Sequence, residues 1–113
     1  MSQQPVEISV VVPCHNELAN LRPLIAGICA AVEPLVRNYE IIITDDCSDD
    51  GSWEALRELA RTQRRLCAQQ LTARGGQSVA LWAGIRAARG RVIVTLDADL
   101  QNDPGTFQNS WQH

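Results

Sequence analysis

Four short apolar runs, "EISVVVP" (7–13), "YEIIITDD" (39–46), "RLCAQQL" (65–71) and "RVIVTL" (91–96), alternate with three segments of helical periodicity. This alternation most restricts the fold. Runs of four to eight residues rich in valine and isoleucine read as strands, and the third is the weakest of the four. Between the first two, Leu21, Leu24, Ile25, Ile28, Cys29 and Val32 recur at the spacing of one helix face. Asn20 suits the N-cap, Pro23 is tolerated in the first turn, and Pro34 helps to end the helix. Asp50, Gly51 and Ser52 lead into a second helix with Trp53, Leu56, Leu59 and Ala60 on one side. "GGQSVALWAGIRAARG" (75–90) reads as a third helix, with Gly90 suited to a left-handed C′ position. The first strand is expected to stop at Pro13. Continuous rather than alternating apolar strands belong to a parallel sheet covered on both faces. The expectation is an α/β fold in β-α-β-α-β-α-β order.

That topology gathers the polar residues. His15, Asn16 and Glu17 follow strand one, Asp45 and Asp46 strand two, Arg74, Gly75, Gly76 and Gln77 strand three, and Asp97 and Asp99 strand four. All lie at the carboxyl ends of parallel strands, the edge where open α/β sheets bind ligands. With 113 residues the chain forms one domain at most. Its formal charge of −3 offers no basic field for nucleic acid. All ten basic residues are arginine, which removes Schiff-base chemistry and the P-loop lysine. Four scattered cysteines without a C-x-x-C pair read as free thiols of a reducing compartment. With no apolar leader and no membrane-length run, the chain is read as soluble and cytoplasmic.

In "RVIVTLDADLQNDP" the residues 92–96 read as a buried strand, and Asp97 and Asp99 then share one side of an extended segment, with Gln101 beside them. Two such carboxylates repel each other unless a cation lies between them. Mg²⁺ or Mn²⁺, held by one or two carboxylates and substrate phosphate oxygens, answers that need. Such an ion also stabilises charge on a departing pyrophosphate. The competing reading makes one aspartate a turn former and the other a solvated residue. Of Asp45 and Asp46, at most one faces a ligand while its neighbour holds the turn. Glu17 equally suits a first-turn position favoured by the helix dipole. His15 alone more often packs than catalyses. Arg74 either meets phosphate oxygens or is a solvated loop arginine. Trp53 and Trp82 read as core or helix-face residues.

Together "VVVPCHNELANLRPLI", "YEIIITDDCSDDGSWEAL" and "GQSVALWAGIRAARGRVIVTLDADLQNDP" resemble the N-terminal half of family 2 glycosyltransferases. The likeness is strongest to the branch of dolichol-phosphate mannosyltransferase-like, polyprenyl-phosphate sugar transferases, and it spans residues 8–104. It implies the GT-A fold, here as a partial, parallel-sheet half. Residues 1–104 would be the nucleotide-sugar-binding part, and 105–113, "GTFQNSWQH", a non-matching tail of a truncated or frameshifted chain. By the resemblance Pro13, Glu17, Asp45 and Asp46 border base and ribose, with His15, Arg74, Gln77 and Asp97 completing the nucleotide-sugar set. Asp97 and Asp99 are the catalytic D-x-D pair, and with Gln101 the ligands of Mg²⁺ or Mn²⁺. The implied activity is inverting transfer of a sugar from GDP- or UDP-sugar to a polyprenyl phosphate, at the cytoplasmic face of a membrane. A phosphate monoester, with its second pKa near ~6, is largely dianionic and hardly needs a general base.

Besides its ending after Pro104, the largest departure, the sequence departs from the family at three places. His15 stands where tyrosine is usual, "TARGGQS" replaces the more typical "SRNFGQS", and Cys47 stands where glycine is frequent. The alternatives are a catalytically inactive nucleotide-sugar-binding fragment, a haloacid-dehalogenase-like phosphatase and a receiver domain. The last two expect a lysine that this sequence lacks.

Overall fold

The computed structural model describes residues 5–98 of the chain. Four parallel strands, β1 (Ile8–Cys14), β2 (Tyr39–Asp45), β3 (Leu66–Gln70) and β4 (Val92–Thr95), lie in the order β3-β2-β1-β4. Three helices connect them: α1 (Leu21–Val32), entered through a 3₁₀ turn at Leu18–Asn20, then α2 (Ser52–Thr62) and α3 (Gln77–Ala87). β1 and β2 are the middle strands and are buried along their whole length, polar Ser9, Glu40, Thr44 and Asp45 included.

Residue parity sorts the two faces. Val10, Val12, Ile41 and Ile43 join Leu21, Leu24, Ile28 and Val32 of α1 and Leu56 of α2 in the hydrophobic core. Each fully buried leucine or isoleucine there contributes roughly 1.5–3 kcal/mol. Val11 and Thr44, which point the other way, meet α3 at Gly84, where an added Cβ would collide with Val11 Cγ1. The buried residues of α3 are Ala80 and Gly84, while Val79 and Trp82 are exposed. This helix lies close to the sheet but is anchored by little apolar area.

Polar contacts hold it instead. Beyond its C-terminus, the buried Glu40 carboxylate accepts from Ser9 Oγ (2.6 Å), Arg89 N (2.7 Å), and Arg89 Nε and Nη2 (3.3 and 3.2 Å). Gly90 N donates to Ser9 Oγ at 2.8 Å. Burial would raise the Glu40 carboxyl, but Ser9 and Arg89 outweigh it and hold the group below the usual carboxylate range.

Several expectations are corrected here. The strand does not stop at Pro13, which pairs in register with Thr44. Val11 O accepts from Leu96 N, so alternate residues of β1 turn their backbone polar groups towards β4. The β4 ladder ends at Val11↔Thr95, so the missing proline N–H forfeits no bond. Helix α3 occupies 77–87 rather than 75–90, and Gly90 is not among the residues with positive φ. Glycine suits position 90 because a Cβ would lie 2.6 Å from Ser9 N. Asn20 precedes α1 without capping it by its side chain, which donates to Glu17 Oε1 at 2.6 Å. β4 is not a buried strand among the described residues: Val92 and Ile93 are 55% and 41% exposed at the sheet edge. Of the two tryptophans read as core or helix-face residues, Trp82 is an exposed residue of α3, at 60% exposure, and Trp53 packs against the core. No helix among the described residues is long and apolar enough to cross a membrane.

Candidate functional site

A cleft of about 270 Å³ opens at the carboxyl edge of the sheet, lined by Pro13, Cys14, His15, Glu17, Asp46, Arg74, Gln77, Ala80, Asp97 and Ala98. Of the residues singled out in the sequence, Pro13, His15, Glu17, Asp46, Arg74, Gln77 and Asp97 come together here. Asp45 is not among the lining residues, and Asp99 and Gln101 lie outside the described residues.

The two adjacent aspartates separate as alternation along a strand requires. Asp45, fully buried, accepts from Ser48 Oγ (2.5 Å), Ser48 N (2.9 Å) and Gln70 Nε2 (3.2 Å), so it organises the turn after β2. Asp46 points towards the segment ahead of α3. Its Oδ1 accepts from Gly75 N (2.8 Å), and its Oδ2 from Gly76 N (2.9 Å) and Arg74 Nε (3.2 Å). Burial would raise its carboxyl, but these donors prevail and hold it below the usual range. Gly76 has φ +91°, a conformation that side chains disfavour.

Two loops are stitched together across the cleft mouth. His15 Nδ1 lies 2.8 Å from Asp46 O, and since a carbonyl oxygen only accepts, Nδ1 carries the proton. Nε2 is then free to accept from Asn16 Nδ2 at 3.3 Å. Asn16 has φ +55°, donates its N–H to Ser48 Oγ (2.8 Å) and accepts from Asp49 N (2.9 Å). Glu17 N donates to Ser52 Oγ (3.1 Å), and Leu18 N to Asp50 Oδ2 (3.2 Å). These partners escaped the sequence reading, although asparagine's tolerance of the left-handed region was a usable signal at Asn16. Cys47 also has φ +55°, which accounts for the fit of glycine at that position. Cys14 lines the cleft, but burial and the nearby Asp45 charge push its thiol up to about 12, so it is no thiolate nucleophile at neutral pH.

At the far side Asp97 is exposed and accepts from Gln77 Nε2 (2.5 Å) through Oδ1. Its other oxygen has no hydrogen-bond donor among the described residues. A carboxylate oriented on one side and open on the other suits a hard divalent cation. Among the described residues, no three histidine, cysteine, aspartate or glutamate side chains gather as a ready-made metal site.

Residues 9–113 match the family described as Glycosyl transferase family 2. Undecaprenyl-phosphate 4-deoxy-4-formamido-L-arabinose transferase of Aeromonas hydrophila is 44% identical over 98 residues, covering 86% of this chain and 30% of that protein. Dodecaprenyl-phosphate galacturonate synthase of Rhizobium johnstonii is 40% identical over 102 residues, covering 89% and 30%. This chain thus spans about a third of the length of the curated relatives it matches. Among solved structures, the mannosyltransferase PcManGT of Pyrobaculum calidifontis, in complex with GDP-Man and Mn²⁺, superposes with a TM-score of 0.73 at 29% identity, covering 82% of this chain and 27% of that one. TarS of S. aureus in complex with UDP-GlcNAc gives a TM-score of 0.71 at 22% identity, covering 92% and 31%, a likeness of fold. The sheet is therefore part of a GT-A fold, and the phosphatase and receiver alternatives are set aside.

Proposed function

Because this chain belongs to glycosyl transferase family 2, we propose that its cleft is the donor-binding part of an enzyme that transfers a sugar, with inversion, from a GDP- or UDP-sugar to a polyprenyl phosphate. The observation that carries the reading is the cleft itself, where Asp97 stands beside Gln77 and shares the lining with Pro13, His15 and Glu17. In this reading residues 1–104 are the nucleotide-sugar part; 105–113, expected to be a tail outside it, lie beyond the described residues and within the family match. Pro13, His15, Glu17, Asp46 and Arg74 form the wall for base and ribose, with Asp45 acting behind them through the turn after β2. His15 presents its imidazole face, held by Asp46 O, where an aromatic ring would otherwise stack.

Asp97, with Asp99 and Gln101, would hold Mg²⁺ or Mn²⁺; the complex of the mannosyltransferase PcManGT with GDP-Man and Mn²⁺ supports that choice. When bound, such an ion neutralises the diphosphate of the leaving nucleotide. The chain's own residues do the rest. Gln77 orients the Asp97 carboxylate, and Arg74, 61% exposed at its side chain, has guanidinium nitrogens free to meet the ligand's phosphate oxygens. The acceptor phosphate, dianionic near neutrality, attacks without a protein base. A polyprenyl acceptor implies work at the cytoplasmic face of a membrane.

The test is transfer of radiolabelled sugar from GDP- or UDP-sugars to undecaprenyl phosphate in vesicles, using the complete gene product. The reading expects lipid-linked label that Asp97→Ala abolishes. Label that persists in Asp97→Ala, or that appears only on protein or water, would overturn it.

A further inference from the structure

We propose that Asp46 is a positioning residue that couples the nucleotide wall of the cleft to Asp97 through segment 74–77, an inference that rests on the nucleotide-sugar reading above. Both oxygens of Asp46 are already engaged by Gly75 N–H, Gly76 N–H and Arg74 Nε, and the side chain is only 3% exposed. These bonds fix two successive peptide groups immediately before Gln77, the first residue of α3. Gln77 in turn donates to Asp97 at 2.5 Å.

The linkage is continuous: β2 holds Asp46, Asp46 holds the diglycine, and the diglycine sets Gln77 against the carboxylate at the end of β4. Nothing else in the first turn of α3 competes with it. Gln77, Ser78 and Val79 are exposed, and the first buried residue is Ala80. A buried carboxylate that binds backbone amides commands the position of the main chain, not only of a side chain. The carbonyl of the same residue takes the His15 imidazole N–H, so the β1 loop is tied to the same point. Asp46 thereby joins three of the four loops at this edge and reaches the fourth through Gln77.

The experiment compares the wild-type chain with Asp46→Asn, Gln77→Ala, the double variant and Gly76→Ala. The last disturbs the segment through its φ of +91° while leaving the Asp46 side chain itself in place. Without metal, ¹H–¹⁵N spectra follow the Gly75 and Gly76 amides and the Gln77 side-chain amide. Electron paramagnetic resonance of free Mn²⁺ then gives metal affinity without nucleotide. Coupling predicts that Asp46→Asn and Gly76→Ala move the Gln77 side-chain signals. It also predicts Mn²⁺ binding about tenfold weaker in either variant, as for loss of an outer-shell partner, with the double variant no weaker than Gln77→Ala alone. Folded Asp46→Asn and Gly76→Ala chains with unmoved Gln77 signals and Mn²⁺ affinity within about twofold of wild type would overturn the proposal. So would additive losses in the double variant. If the wild type takes neither Mn²⁺ nor nucleotide, the donor-site reading falls, while the Gln77 signals still decide the coupling.

Discussion

Replacing Glu40 by alanine tests whether polar clamps, rather than apolar area, hold α3 and β4 to the sheet. The substitution strands the buried Ser9 Oγ–H and the part-buried Arg89 N–H, which lie 2.6 and 2.7 Å from the carboxylate. Each buried donor left without an acceptor costs roughly 1–3 kcal/mol. Breaking a fully buried ion pair costs about 3–5 kcal/mol, but the Arg89 side chain is 63% exposed and rehydrates, so that part is discounted. The expected loss is therefore about 3 kcal/mol, close to 12 °C in Tm for a domain of this size. Glutamine keeps one acceptor oxygen and should lose about half as much. Urea unfolding followed by circular dichroism, with an unchanged m-value, reads both. The pH dependence follows from the lowered carboxyl: its contribution is present above the unfolded value of about 4.3 and lost as pH falls through the folded one. The gap between wild type and Glu40→Gln should thus narrow on acidification below about pH 4. An alanine variant within about 0.5 kcal/mol of wild type would refute the clamp argument.

Gly84→Ala drives a methyl into Val11 Cγ1 and must lift α3. Differential scanning calorimetry should register a loss of about 1–3 kcal/mol, and no loss would show that α3 repacks freely. Cys47→Gly relieves a left-handed side-chain residue at the expense of a Cys47 Sγ contact with Leu71 O at 3.3 Å. The expected outcome in urea titration is a gain of up to about 1 kcal/mol, and a clear loss would mean the thiol contact outweighs the strain.

Much of this arrangement was legible in the chain. The strand order of polar clusters put His15, Glu17, Asp46, Arg74, Gln77 and Asp97 at one edge before any coordinates, because parallel strands leave no other place for them, whereas Pro13 came from the family resemblance. Alternation also distinguished the directions of Asp45 and Asp46. What escaped were facts set by partners far along the chain. The clasp between Asp46 and Gly75–Gly76 spans 29 and 30 residues, and neither glycine carries a side chain to announce it. Gly90 looked like a helix terminus because glycine serves both left-handed caps and close backbone approaches, and only Ser9, 81 residues away, decides between them. Pro13 looked like a stop because the strand's hydrogen-bonding side is not written in the sequence. Val92 and Ile93 looked interior because a β-branched run does not say whether its strand is central or at an edge.

Calorimetric titration of GDP and UDP into the purified chain, with Mn²⁺ and then with EDTA, reaches the central claim most directly. The account predicts binding of at least one nucleotide that requires the metal and is lost in Asp97→Asn. Binding of equal strength in EDTA, or in Asp97→Asn, or no binding of either nucleotide with Mn²⁺ present, would contradict it.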